Sequence, residues 1–550
     1  MSLLGWLDRP SPDRGVRIAQ SDGAWQFSSY ADLAEEARRA AGRLRSAGIA
    51  PGDTVIVVRS ASADFVSDFF GALLAGATPA PVAPPSAFQN QARYAEHLAG
   101  AVRLARAPIV TTTAEAEAAV AAAVAGTGSR VTAHEPPGTA SIAGPSTVPA
   151  TAVLQFSSGS TGPPRGVRIP LHALESNMVA IRHRLDLTER DVVASWLPPY
   201  HDMGLVGMLL LPVSCQLDVW WMRPEDFVRS PLRWLRLFGP DGATVTGTPT
   251  FGLAQVLRRL RSPEQLRTLD LSGLRGIVTG AERVDAATVE RFLELLAPFG
   301  MRPEAVIPAY GLAESTLAVT MAPCGVAPST ITVDAESLVP GQPVLAPADG
   351  GPGTALVGCG TPVAGVDVRI VDEDGDPVDE NTLGEIEVRG TSLAAGVLSA
   401  TDGEQRMGSH LRTGDAGFLR DGQLFVVGRI GDAVKQFGRW YFAEEAEQIA
   451  RSHSPRPQQT VALIGTWEGR NTVVVLVEGL LDRAAGDVGR AVARHAAGLR
   501  VLVLSVVSGQ IERTTSGKPR RRVMWQRLAE GRLHGTTRWD SDVAVGTLTP

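Results

Sequence analysis

Segments of helical period and short apolar strands alternate from Tyr30 to about residue 300, and this alternation most narrows what the chain can fold into. In residues 30–50 (YADLAEEARRAAGRLRSAGIA), Leu33, Ala37, Ala40, Leu44 and Ala47 recur on one helical face, and Gly48 stops the run. Residues 51–58 (PGDTVIVV) turn into a strand, 64–75 return to helix, and 79–85 (PAPVAPP) read as a loop. Parallel strands need long crossovers, and helices supply them, so the pattern predicts an α/β fold with parallel-type sheets covered by helices. The chain has 550 residues, too many for a single core. At roughly 100–200 residues per domain, several packing units are expected.

The pattern changes twice. Residues 323–362 are rich in Pro, Gly and Val, and β-like pieces follow at 366–372 (VDVRIVD), 384–390 (GEIEVRG) and 423–428 (QLFVVG). They predict a small β-rich subdomain over about 323–431, closing a large N-terminal domain, 1–431. From Asp432 onward a helix at 444–453, strands TVALIGTW, TVVVLVEG and VLVLSVV, and a helix at 487–497 predict a small α+β domain, 432–550. Its tail, 534–550, reads as loosely ordered. Residues 114–125 (AEAEAAVAAAVA) read as a plain surface helix.

Charge and cysteine usage exclude several classes. A net charge of −6 with one short basic run, KPRRR at 518–522, gives no nucleic-acid footprint. Cys215, Cys324 and Cys359 are far apart and form no CxxC pair, so neither a disulfide framework nor a structural zinc site is indicated. A reduced, cytoplasmic setting is expected. Residues 203–222 (MGLVGMLLLPVSCQLDVWWM) approach membrane length, but Pro212, Gln216 and Asp218 interrupt them, so a buried core segment is expected and no membrane span.

Residues 157–166 read SSGSTGPPRG, between two strand-like segments, TAVLQF and GVRIP. Taken alone this is either a flexible strand connection or an anion cradle. Successive glycines let backbone N–H groups converge on phosphate oxygens, and hydroxyls and Arg165 add donors. The Walker spacing is absent, because no GK[ST] ends the loop, and no G-x-S-x-G elbow is present.

Further segments follow in order: SWLPPYHDMGLV (195–206), AYGLAESTL (309–317), RTGDAG (412–417), GRIGDAVKQFG (428–438) and RTTSGK (513–518). This series resembles the adenylate-forming superfamily of acyl-CoA synthetases, peptide-synthetase adenylation domains and luciferases. SWLPPYHDMGL and the segment 331–372 look most like the fatty acyl-AMP ligase branch. The resemblance spans almost the whole chain.

The resemblance implies a two-step reaction. A carboxylate attacks the α-phosphate of ATP to give acyl-AMP and pyrophosphate, and a phosphopantetheine thiol then takes the acyl group. It assigns Ser157, Ser158, Gly159, Ser160, Thr161 and Gly162 to the β- and γ-phosphates. Gly280, Ala281 and Glu282 would line the purine, and Tyr310, with Gly311 beside it, would stack on adenine. Asp415 would accept from the ribose hydroxyls, which suits a carboxylate with two acceptor oxygens, and Arg429 would hold ribose and phosphate. Glu314 and Thr161 would hold Mg²⁺, and Lys518 would bridge the carboxylate and the α-phosphate. By themselves Glu314 and Lys518 are ordinary solvated charges, and Asp415 a turn cap. Trp196, His201, Met208 and Phe251 are expected around the acyl pocket, although such residues are as readily core. The resemblance also implies that the C-terminal domain is mobile, hinged at Asp432, and alternately presents Lys518 and the 437–439 loop, where Gly438 leaves room for a pantetheine arm.

The expected cofactors are ATP and Mg²⁺. The expected partners are a fatty or aryl carboxylic acid and an acyl carrier protein, with CoA as the alternative acceptor. An enzyme specialised for the thioester step and a non-catalytic acyl- or adenylate-binding protein are further alternatives. Arg165, Gly431, Ala443 and Val397 depart from the residues usual in the motifs, where lysine, lysine, proline and an aromatic are common.

Overall fold

The computed structural model describes residues 1–85, 91–133, 148–157, 164–239, 242–260, 263–348, 353–436, 439–479, 482–496, 498–513 and 518–542. Its largest sheet has nine strands. Gly15–Ala19, Asp218–Trp221, Val192–Ser195, Val245–Thr248, Gly276–Thr279 and Val306–Gly311 run parallel in that order. Antiparallel strands close both edges, Trp25–Ser29 at one and Ala318–Met321 with Thr361–Pro362 at the other. A second sheet, Thr78–Val82, Thr54–Val58, Ile109–Thr112 and Arg130–Ala133, is parallel throughout. The α/β expectation from the alternating pattern therefore holds. Tyr30–Ser46 is a helix with a Ser29–Asp32 capping box, and its Leu33, Ala37, Ala40 and Leu44 face inward.

Residues 79–85 are not simply a loop, because Thr78–Val82 is an edge strand of the second sheet. Pro79 and Pro81 lie two apart, so both imide nitrogens fall on the same side of the strand, away from the ladder with Thr54–Val58. Residues 203–222 are largely buried, as a π-helix Met203–Leu210, a turn of helix Leu211–Ser214 and the interior strand Asp218–Trp221. Continuous apolarity there reflects burial within the sheet layers, and among the described residues no helix is long and apolar enough to cross a membrane.

Thr151–Ser157 and Arg165–Pro170 pair antiparallel, with Ser157 opposite Arg165 at the end of the ladder. Gly396–Ser399 and Gly403–Arg406 extend this sheet. An antiparallel sheet of Val366–Val371, Gly384–Gly390, His410–Arg420 and Gln423–Arg429 forms from the β-rich sequence.

After the short turn Ile430–Asp432, the last unit has a mixed four-stranded sheet and helices Ala443–His453, Asp482–His495 and Arg521–Ala529. Of the tail expected to be loosely ordered, residues 535–540 form a strand, and 543–550 lie outside the described residues. Gly535–Asp540 pairs with Arg500–Val506, and Arg500 clamps Asp540 at 2.8 Å. The basic run also changes character. Arg521 is largely withdrawn from solvent, its side chain 13% exposed, and donates to Glu444 and Glu447 at 2.9 Å each. An unpaired charge there would be costly, so the acids on Ala443–His453 are required by its burial.

Candidate active site

Four parallel strands end at one cavity of about 1920 Å³. In open α/β sheets the carboxyl ends of strands leave such a crevice. Gly276–Thr279 delivers Gly280, Ala281 and Glu282. Val306–Gly311 delivers Tyr310, Gly311 and Glu314. The segments after Val245–Thr248 and Val192–Ser195 deliver Phe251 and His201. The antiparallel sheet contributes Asp415 and Arg429, directly opposite each other in register, and the C-terminal unit contributes Lys518.

The backbone around these residues is tightly constrained. A Cβ on Gly280 would lie 2.5 Å from the Ala309 carbonyl oxygen, and one on Gly311 would lie 1.8 Å from that of Leu317. Ala281 (φ +65) and Thr316 (φ +67) occupy backbone space that residues bearing a β-carbon avoid. Thr316 is held there by its hydroxyl donating to the Ser392 carbonyl at 2.7 Å. Strain of this kind persists only where surrounding structure over-determines it.

Tyr310 Oη donates to Asp415 Oδ2 at 2.7 Å, and Arg429 Nε lies 3.1 Å from Oδ1. Neither link is visible in the sequence, where 105 residues separate Tyr310 from Asp415. Burial pushes the Asp415 carboxyl above its ordinary range, while Arg429, the Tyr310 hydrogen bond and Lys518 pull it back. Asp415 in turn holds Arg429 more firmly protonated, with a smaller effect from Glu314.

His201 is held neutral, its imidazole pushed down to about 3, first by burial and then by the Lys518 charge. Lys518 therefore stands close to both His201 and Asp415. Because the His201 value falls from 6.5, the stability contributed by burying the neutral ring is full above pH 6.5 and is lost as pH falls toward about 3. By NMR, the His201 titration midpoint is expected to rise in Lys518→Ala, since a neighbouring cation is removed. An unchanged midpoint would contradict the placement of Lys518.

Several expected residues sit differently. Trp196 does not line the cavity. It stacks on Phe227 at 4.0 Å between centroids and packs against Gly252, whereas Phe251 and Met208 do line the cavity. Its flat indole fills the gap between Phe227 and the helix Thr250–Arg259. Glu282 lines the cavity, but Oε1 accepts from Phe251 N at 2.7 Å and so anchors the start of that helix. Ser157 ends its strand. Ser158, Gly159, Ser160, Thr161, Gly162 and Gly438 lie outside the described residues.

The departures have local reasons. Gly431 makes room for Arg522, since a Cβ would lie 2.0 Å from Nη2, which donates to the Gly431 carbonyl at 3.2 Å. Ala443 is the first residue of its helix, a position proline also fills. Arg165 lies on the cavity wall at the start of its strand. Asp432, in the turn between the two units, lies 3.8 Å from Arg521 and 3.9 Å from Arg522.

Residues 8–398 match the family described as AMP-binding enzyme. A Mycobacterium tuberculosis protein provisionally named fatty-acid–CoA ligase fadD25 is 31% identical over 551 residues, 91% of each chain. The medium-chain-fatty-acid–[acyl-carrier-protein] ligase JamA of Moorena producens is 33% identical over 422 residues, 72% of this chain and 70% of its own. A structure from a study of fatty acyl-adenylate ligases of E. coli and L. pneumophila superposes with a TM-score of 0.89 at 30% identity, covering 96% of this chain and 98% of that one.

Proposed function

The chain belongs to the AMP-binding enzyme family, and from that premise we propose that it joins a fatty acid to AMP and passes the acyl group to the phosphopantetheine thiol of an acyl carrier protein. The observation that carries this reading is the convergence of Lys518, Asp415 with Arg429, and Glu314 on one cavity from separate parts of the fold.

In this reading the apolar part of the cavity lining, which includes Met208, Phe251, Ile181 and Leu185, takes the acyl chain. Tyr310 has its hydroxyl tied to Asp415, so its ring is fixed for stacking on adenine. Asp415 keeps lone pairs for the ribose hydroxyls, and Arg429 beside it carries charge toward the phosphates. Lys518 reaches the same space and offsets negative charge as the carboxylate oxygen bonds to the α-phosphorus and pyrophosphate leaves. His201, held neutral, acts as a wall and not as a base.

Glu314 fits Mg²⁺, because that ion favours one or two carboxylates together with phosphate oxygens, and its charge already bears on Arg429. Among the described residues no cluster of three or more ligating side chains makes a metal cage. When bound, the ion would neutralise phosphate charge. Domains 1–431 and 432–550, hinged at Asp432, would move between the two half-reactions.

A paired assay over a panel of acids tests the proposal. Pyrophosphate release reads adenylation, and mass spectrometry with CoA and holo carrier protein offered together reads the acceptor. Pyrophosphate with loaded carrier protein is expected. Acyl-CoA instead would reassign the acceptor. Nucleotide binding without pyrophosphate release from any acid would sink the ligase reading.

A further inference from the structure

The helix Gln91–Ala105 carries Arg93, His97 and Gly100 at spacings of four and three, which places them on one face. That face meets two distant segments. Gly100 packs on Pro164, immediately before Arg165, and a Cβ on Gly100 would lie only 3.2 Å from the proline ring. Arg93 Nη1 donates to Glu512 Oε2 at 2.7 Å, across 419 residues. The His97 imidazole is pushed down first by burial and then by the charge of Arg520, so this face also lies near that residue.

Glu512 adjoins the pairing of Arg513 with Pro519, the residue that follows Lys518. Arg513 and Pro519 form an antiparallel bridge, and Arg520 N donates to the Glu512 carbonyl at 2.9 Å. The Glu512 carboxylate is 9% exposed and also pairs with Arg527 and, at 3.9 Å, with Arg520. Loss of Arg93 therefore does not strand a buried charge. What it removes is the ion pair between the C-terminal unit and the helix Gln91–Ala105.

We propose that Arg93 is a positioning residue for adenylate formation: its ion pair with Glu512 clamps the Arg513–Pro519 bridge beside Lys518 to the large domain and holds Lys518 at the cavity. The inference rests on the proposed ligase reading. Because the same helix packs on Pro164, it braces the two segments that flank the reacting phosphates from opposite ends of the chain.

Arg93→Ala, Arg93→Lys and Arg93→Glu are compared with the wild type in two measurements. With dodecanoic acid, ATP and Mg²⁺, kcat for pyrophosphate release is expected to fall about fivefold in Arg93→Ala and about twentyfold in Arg93→Glu, with Arg93→Lys near wild type and the ATP KM nearly unchanged. Raising ionic strength should slow the wild type more than Arg93→Ala, since only the former has a pair to screen. Thioester formation from synthetic dodecanoyl-AMP and holo carrier protein should not slow. The second measurement, backbone hydrogen exchange, needs no turnover. Arg93→Ala should exchange faster in 521–529 as well as in 91–105. Equal slowing of both half-reactions, full pyrophosphate release by Arg93→Glu, or exchange changes confined to 91–105 would overturn the clamp. A wild type that releases no pyrophosphate with dodecanoic acid or with any other acid of the panel would count against the ligase reading, and the exchange comparison would then decide the clamp alone.

Discussion

Lys518→Ala is expected to slow pyrophosphate release about a thousandfold while leaving thioester formation from supplied acyl-AMP within about threefold of wild type. The asymmetry follows from where charge develops. In adenylation, negative charge spreads over the phosphoryl oxygens while a second anion, the substrate carboxylate, approaches. A cation fixed at the cavity wall opposes both repulsions. In thioester formation the phosphate is already joined to the acyl group as a mixed anhydride, a thiol attacks the acyl carbon and AMP leaves, so no second anion has to approach the phosphorus and a cation there has less to offset. Lys518 reaches the cavity wall, where its charge bears on His201 and Asp415. Single-turnover measurement of each half-reaction separates the two effects. Equal loss of both steps would show that the substitution disturbs the C-terminal unit as a whole and would remove the assigned role.

Asp415→Asn is expected to lower kcat/KM for ATP about a hundredfold with no loss of folding stability at pH 7. An amide keeps the shape of the carboxylate but has one acceptor oxygen where the carboxylate has two. It also presents N–H groups to Tyr310 Oη or to the ribose hydroxyls, all of which need an acceptor. The charge-assisted contact with Arg429 at 3.1 Å is lost as well. Stability moves the other way. The folded Asp415 value is raised from 3.8, chiefly by burial, so the folded state binds its proton more tightly than the unfolded chain. The ionised carboxylate therefore disfavours the fold above that raised value, whereas below 3.8 both states are protonated and the penalty vanishes. Asparagine removes the penalty. Nucleotide titration and thermal unfolding at pH 7 and at pH 4 check both halves. A variant that unfolds earlier at pH 7 would show that the ion pair with Arg429 outweighs desolvation.

Much of the fold was legible because it is written in local periods. The helix at Tyr30–Ser46 and the strands at Thr54–Val58, Gly384–Gly390 and Gln423–Arg429 each show their element type within a few residues. The errors fall where a distant partner decides. Thr78–Val82 looks like a proline loop and becomes a strand only because one side of it is free of ladder bonds. Gly535–Asp540 has no strand signature until Arg500–Val506 lies beside it.

The candidate site divides the same way. The sequence by itself, through the family resemblance of its ordered motifs, singled out Tyr310, Glu314, Asp415, Arg429 and Lys518 as candidates. Only the tertiary structure decided how they and their neighbours are arranged. It tied Tyr310 to Asp415, turned Glu282 into a helix anchor, stacked Trp196 on Phe227 and joined Arg93 to Glu512. The physical reason is range. Backbone preference and hydrophobic period act over a few residues, whereas hydrogen bonds, ion pairs and desolvation act between whichever groups the packed core brings within a few ångströms, however far apart they lie along the chain.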